Sequence, residues 1–466
     1  MNDLAESAYL GGKSKHKMSK KNTKMSFTAM ICICIGLVIA QGAMISATQG
    51  VGFGATSFIA AMIVAFIISQ FNAMSFAELS LMFPHEGTLA TYTQKAIGHF
   101  PAIVSVFAGY VVVGVLAIPV EMFLVDAMLG QLLPGLLPEK LLPFIILLVL
   151  TVTNLIGADI FSKVQNILAF ILVSGLVLIS VLAVTGFSLP HSELTGTEVD
   201  WSFNGVLDGS FIGLVALAMW LMVGVEYICP MIKEVENPEK NIPKAMHLSI
   251  FLIFTIFLLF VVGASYYLDT ETILGSPIPY LDYSNAVFGQ SGLLIATILG
   301  IAATCSTMNT VLASVPRMLH GMAEQKQAFP QLKALNKYNV PWVAVVMLTV
   351  LISIPYFTLG IDSLIMLVIA ATTSWLLAYV VAHIDVMVLR KRLPNHRRPY
   401  RSPLFPIPQV LGVIAMLYVA LNNSPSPEMT QMVFLINGSI LVTLSIIGAL
   451  WVKLYMKRGL FTPDMN

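Results

Sequence analysis

Residues 27–48 read FTAMICICIGLVIAQGAMISAT, 22 residues without a single charge. A run of that length spans the hydrocarbon core of a bilayer as one helix, and lipid offers no partner for backbone groups the helix leaves open. Near its middle stand Gln41 and Gly42, within the stretch Ile39, Ala40, Gln41, Gly42, Ala43. An amide beside a glycine at mid-depth marks a place where the helix can open. The same kind of interruption recurs in WLMVGVE at 220–226, where Gly224 stands two residues before Glu226. Half-helix N-termini can receive an anionic group, and freed carbonyls an ammonium or a metal cation. For either glycine alone, close packing between helices is the bland alternative, and it stays open.

Outward from these two stretches the whole chain is apolar. Of 466 residues 57% are hydrophobic and 11% are charged, against about 25% charged in a soluble domain. Twelve apolar segments follow one another: 27–48, 57–79, 102–129, 141–156, 164–185, 209–229, 248–267, 292–319, 342–358, 361–387, 408–421 and 432–454. The first begins only after about 25 polar residues and shows no short cleavable core, so it is expected to stay in the protein.

Charge orients these segments. With twelve crossings, 24 of the 25 Lys and Arg residues fall on the side of both termini, and only Lys140 falls opposite. Opposite-side loops hold Glu193, Glu198, Asp200, Asp269, Glu271 and Asp282. The positive-inside bias therefore predicts cytoplasmic termini in a plasma or inner membrane. The expected organisation is a basic arm at 1–25, a ten-helix core at 26–388, a basic loop at 389–403, helices eleven and twelve within 404–456, and a tail at 457–466. The arm reads either as a topology determinant near anionic lipid or as a regulatory segment.

Four stretches resemble the amino acid–polyamine–organocation superfamily of permeases. They are AEL at 77–79 with Phe83-Pro84 and Glu86-Gly87, VQN at 164–166, Glu226 followed by EVENPEKNIPKA at 234–245, and SVPR at 314–317 with Phe329-Pro330 and Val340-Pro341. The resemblance covers residues 25 to 387. It implies an all-α membrane protein of the leucine-transporter fold, a 5+5 inverted repeat of helices with discontinuous helices 1 and 6 around a central site. It also implies alternating access and a substrate bearing an amine. The chain departs from the family's glycine-rich first break by keeping one glycine and introducing Gln41. It has Leu172 where some proton-coupled relatives carry a lysine, and Trp220 and Met222 where relatives are rich in phenylalanine.

The candidate substrate-binding residues are Ile39, Ala40, Gln41, Gly42, Ala43, Glu121, Trp220, Met222, Val223 and Gly224. Glu121 lies deep in the third span, in AIPVEM at 117–122. A charge there costs roughly 2.5–3.5 kcal/mol on insertion scales and so needs a partner or a wet cavity. It is expected to face the cavity and either pair with a substrate ammonium or carry a coupling proton. A neutral glutamate bonded to a neighbouring helix is the alternative. Glu78, Glu226 and Arg317 are candidates for a gate or coupling network. Ser306, Thr307 and Thr310 are candidates for a small-cation site, or else hydroxyls bonded back to their own helix.

These readings lead to a secondary transporter of amino acids or small organic amines, with H+ or Na+ as a possible coupling ion. A non-transporting sensor on the same fold and a sodium-coupled carrier of another small polar solute stay as alternatives. No HExxH, GxSxG or histidine pair points to an enzyme, and no feature points to nucleic acid. Cys32, Cys34, Cys229 and Cys305 lie in apolar segments as packing residues, so neither metal nor cofactor is expected. No oligomeric state follows from the sequence.

Overall fold

The computed structural model describes residues 24–135, 138–186, 211–423 and 427–465. Most of the basic arm, the acidic residues Glu193, Glu198 and Asp200, and the first two residues of the sixth expected span lie outside them. Among the described residues the fold is helical, with no β-strand; one isolated parallel bridge joins Met25 to Val235.

In chain order the helices are α1 (Phe27–Val38), α2 (Gln41–Met82), α3 (Leu89–Ala96) and α4 (His99–Val106). A π-helical stretch at Phe107–Val112 then leads into α5 (Val113–Leu132). Next come α6 (Leu141–Ile156), α7 (Ala158–Thr185), α8 (Phe211–Trp220), a 3-10 segment at Val225–Met231, and α9 (Pro238–Tyr267). The remainder are α10 (Thr270–Gly275), α11 (Pro279–Phe288), α12 (Gln290–Glu324), α13 (Trp342–Thr358), α14 (Leu364–Arg392), α15 (Ile407–Asn422) and α16 (Pro427–Leu450). Among the described residues eight helical stretches are long and apolar enough to cross a bilayer, and α1, α6, α13 and α15 are shorter apolar helices.

The fold is inside-out relative to a soluble protein. Phe170 is 73% exposed and Leu435 74%, whereas Gln41, Glu78, Gln165, Asn309 and Asp385 are buried. Apolar side chains facing outward and amides facing inward are stable when the surrounding solvent is lipid. The buried amides form a chain across three helices. Asn154 Nδ2 on α6 donates to Asn309 Oδ1 on α12 at 2.8 Å, and Asn309 Nδ2 donates to Gln165 Oε1 on α7 at 2.9 Å.

Three elements differ from the sequence reading, each for a local reason. The first two expected spans are not separated by a loop, because α2 runs 42 residues and kinks only at Gly54. Gly54 sits at φ 149°, a region open to glycine at little steric cost, so one residue can do the work of a turn. The run at 234–244, whose acids, lysines and prolines suit a solvated loop followed by a new helix, is mostly helix. Asn237 takes the left-handed conformation and Pro238, which has no amide hydrogen to strand, opens α9 ten residues before the apolar run. The acidic outer connection folds into α10 and α11. There Asp269 caps α10 by accepting from Thr272 N at 2.7 Å, which holds its carboxyl below the usual range. Pro279 likewise opens α11.

Candidate functional site

The site begins with a helix start that cannot cap itself. After Val38 the chain leaves helical torsions at Ile39 (φ −82°, ψ 74°), and Ala40 is extended (φ −90°, ψ 168°) before α2 begins at Gln41. Ala40 has no side-chain oxygen, so the first amides of α2 need an acceptor from elsewhere. Glu121, on α5 two residues after Pro119, supplies it. Its Oε2 accepts from Gln41 N at 3.0 Å and its Oε1 from Gly42 N at 3.1 Å. A carboxylate on the positive end of a helix is favoured by about 0.3–2 kcal/mol, depending on burial. Thr304 on α12 adds a hydroxyl donor to Oε2 at 3.2 Å. The Gln41 side chain completes the network, donating to Thr304 Oγ1 at 2.6 Å and accepting from Tyr280 on α11 at 2.7 Å.

The second interruption follows α8. Residues 221–224 are non-helical and Gly224 sits at φ 120° before the 3-10 turn. A Cβ on Gly224 would stand 2.9 Å from Leu37 Cδ2 and 3.2 Å from Trp375 Cη2. Gly224→Ala therefore combines torsional strain of about 1–3 kcal/mol with a displaced neighbour. It is expected to lower Tm by several degrees in detergent and to cut ligand binding at least tenfold. An alanine variant indistinguishable from the parent in both measurements would show that the backbone here is not constrained.

The two interruptions abut. Cys34 Sγ on α1 donates to Val225 O at 3.4 Å, and Ser314 Oγ on α12 donates to Tyr227 O at 2.8 Å. Between them lies a small cavity of about 40 Å³ whose wall includes Val38, Gly42, Glu121, Trp220, Tyr227 and Trp375. The aromatic side is ordered by edge-to-face contacts. Trp220 and Trp375 are 6.3 Å apart at 89°, and Tyr227 and Trp375 are 5.7 Å apart at 70°.

Residues 25–447 match the sequence profile of the family described as amino acid permease. The chain belongs to the amino acid permease family. It is therefore a multi-pass membrane permease and not an enzyme. Similar proteins include the human cystine/glutamate transporter, 25% identical over 92% of this chain and 86% of the relative. The gamma-aminobutyric acid permease of Escherichia coli K12 is 25% identical over 76% of this chain and 78% of its own. The serine/threonine exchanger SteT of Bacillus subtilis is 23% identical over 84% and 88%.

In this permease, Ala40, Gly42, Glu121, Trp220 and Val223 line the cavity, while Ile39, Gln41, Ala43 and Met222 are buried beside it. The three hydroxyls of α12 separate. Thr307 points at the end of α1, with its Oγ1 3.3 Å from Leu37 O and 3.5 Å from Gly36 O. Ser306 instead accepts from Gln165 Nε2 at 2.7 Å, and the buried Thr310 hydroxyl makes no hydrogen bond among the described residues. Glu226 sits behind the aromatic wall and accepts from Trp375 Nε1 at 3.1 Å.

Glu78 and Arg317 lie away from the cavity, at the Lys/Arg-rich end of the bundle. Glu78 accepts from Arg390 Nε and Nη2 at 2.9 and 2.6 Å and from Ser402 N at 2.8 Å, with Arg398 Nε 3.3 Å away. Arg317 makes a two-pronged contact with Glu234 at 2.7 and 3.1 Å. Tyr280, Tyr227 and Trp375 are parts of the site that sequence reasoning missed. Tyr280 comes from a segment read as a loop, and the two others are aromatics in apolar runs, with no spacing to set them apart from packing residues.

Proposed function

We propose that this permease is a secondary active transporter that moves amino acids or small organic amines across the membrane by alternating access. The observation that carries the reading is the junction of two interrupted helices around a cavity lined by a carboxylate. An interrupted helix in lipid is unstable unless something satisfies its free backbone groups; Glu121 does so for the start of α2, and as a wall residue it meets whatever solute enters the cavity. The reading takes the bundle as twelve crossings, α1 with the start of α2 forming the first and α8 with the 3-10 segment the sixth. Five crossings per half invert the second half relative to the first, so the two interruptions fall at corresponding positions of a 5+5 repeat spanning 26–388. Crossings eleven and twelve, α15 and α16, then lie outside the core. Both termini face the cytoplasm of a cell with the protein in its plasma or inner membrane, in keeping with the distribution of Lys and Arg.

Proton coupling or exchange of one solute for another drives the cycle in this proposal. The printed names of relatives, among them an exchanger, two permeases and a transporter, are compatible with both. Thr307, directed at the carbonyls of Gly36 and Leu37, favours a second reading in which Na+ takes part. Counterflow in liposomes tests both. Vesicles loaded with millimolar unlabelled solute are expected to accumulate the labelled form transiently, above the level of protein-free vesicles. Replacing Na+ by choline is expected to abolish this only in the second reading. Absence of counterflow for every amino acid and amine that binds the purified protein would rule out carriage.

A further inference from the structure

We propose that the cavity of this permease selects amine cations that lack a free carboxylate, because Glu121 already occupies the first amides of α2, which would otherwise be open to a substrate carboxylate. This rests on the carrier reading above, and it narrows the substrate to one chemical class.

The start of α2 is the anion-receiving end of a long helix, and its first two amides both donate to Glu121. A solute carboxylate would have to displace that side chain or lie against it as a like charge. Among the described residues no Lys, Arg or His lines the cavity, so no basic side chain there would neutralise a second carboxylate. The same wall is well made for a cation. An ionised carboxylate offers about four acceptor positions on two oxygens. Oε2 takes two donors, Gln41 N and Thr304 Oγ1, whereas Oε1 takes only Gly42 N. Glu121 lines the cavity, leaving Oε1 with capacity for an ammonium hydrogen.

The aromatic residues are a second, independent observation. Trp220, Tyr227 and Trp375 border the same space. Trp220 Nε1 lies 3.0 Å from where a Cβ on Gly42 would stand, and Glu121 Oε1 lies 3.4 Å from that point. The indole is therefore beside the carboxylate. Aromatic faces attract ammonium groups through the ring quadrupole, and with three rings on the wall an ammonium that enters the cavity meets them around the carboxylate. A carboxylate in a wall bordered by aromatic rings and without basic residues recognises an alkylammonium head with an apolar tail.

The test pairs each amino acid with its decarboxylated form: ornithine with putrescine, lysine with cadaverine, tyrosine with tyramine, and valine with isobutylamine. Purified permease is titrated with each by thermal shift, and the same compounds are then used in counterflow. At least one amine is expected to stabilise the protein at a concentration ten or more times lower than its parent amino acid. An amino acid matching or beating its amine in every pair overturns the inference, while counterflow by that amino acid would leave the carrier reading intact. Amine selectivity without counterflow has the opposite effect, removing carriage and keeping the selectivity. Stabilisation by none of the eight compounds also overturns the inference. Glu121→Ala, which vacates the helix end, is expected to shift the amine-to-acid ratio at least tenfold toward the acid. An unchanged ratio in a folded variant overturns the inference. Should that variant not fold, the wild-type pairs decide alone.

Discussion

Glu121→Gln is expected to reduce saturable uptake by about 100-fold at equal amounts of reconstituted protein. The substitution keeps the size of the side chain and changes what it offers. A carboxylate presents an acceptor to each of the Gln41 and Gly42 amides, at 3.0 and 3.1 Å. A carboxamide presents one acceptor and one donor, so one amide faces another N–H. Helix-end charge compensation of about 0.3–2 kcal/mol is lost with the charge. A bound ammonium also loses its ionic partner, at about 2–5 kcal/mol for a buried charged contact. Loss of the ionic partner alone, at about 3 kcal/mol within that range, corresponds to about 100-fold in affinity. Glu121→Asp retains the charge but not the reach, and should fall between glutamine and the parent. Initial rates in liposomes decide the matter, and a glutamine variant within twofold of the parent would remove Glu121 from the site.

The second large effect is expected at the other end of the bundle and on stability. Glu78 has no exposed surface and is held by Arg390, Ser402 N and Arg398. Removing one partner of a buried ion pair costs about 3–5 kcal/mol, chiefly because the surviving charge is left without compensation. Glu78→Ala strands two guanidinium groups at once. It is expected to lower Tm in detergent by several degrees and to loosen the 393–406 segment, read as faster proteolysis there. The contrasting variant is Arg397→Ala. Its pair with Glu239 is exposed on both sides, at 78% and 54%, and should be worth less than 1 kcal/mol. Equal Tm losses in the two variants would mean that burial does not separate them.

Sequence made some of this legible and left the rest dark, for physical reasons. Apolar runs are long-range averages over many residues, and they located most of the helices to within a few residues. Gly224 betrayed its interruption because a glycine beside polar groups at membrane depth is a local signal. Gln41 and Gly42 did the same for the first helix. The start of α9 was misplaced because Asn237 and Pro238 read as loop residues, although a left-handed residue followed by proline is also how a helix begins. The partners of Glu121 could not be read at all. Gln41, Gly42 and Thr304 lie 80, 79 and 183 residues from it in the chain, and only packing brings them together. The family's acidic motif likewise gave no hint that Glu78 binds the chain after α14.

The short bridge at Met25 has a mechanical consequence. Met25 N donates to Glu234 O at 2.8 Å, and Met25 O accepts from Glu236 N at 3.0 Å, just before the first residue of α1 and just after the 3-10 turn. Glu234 is in turn clasped by Arg317. The entry to α1 and the exit of the 3-10 turn are thus tied to each other and to α12, so that displacing either one alone has to break these bonds.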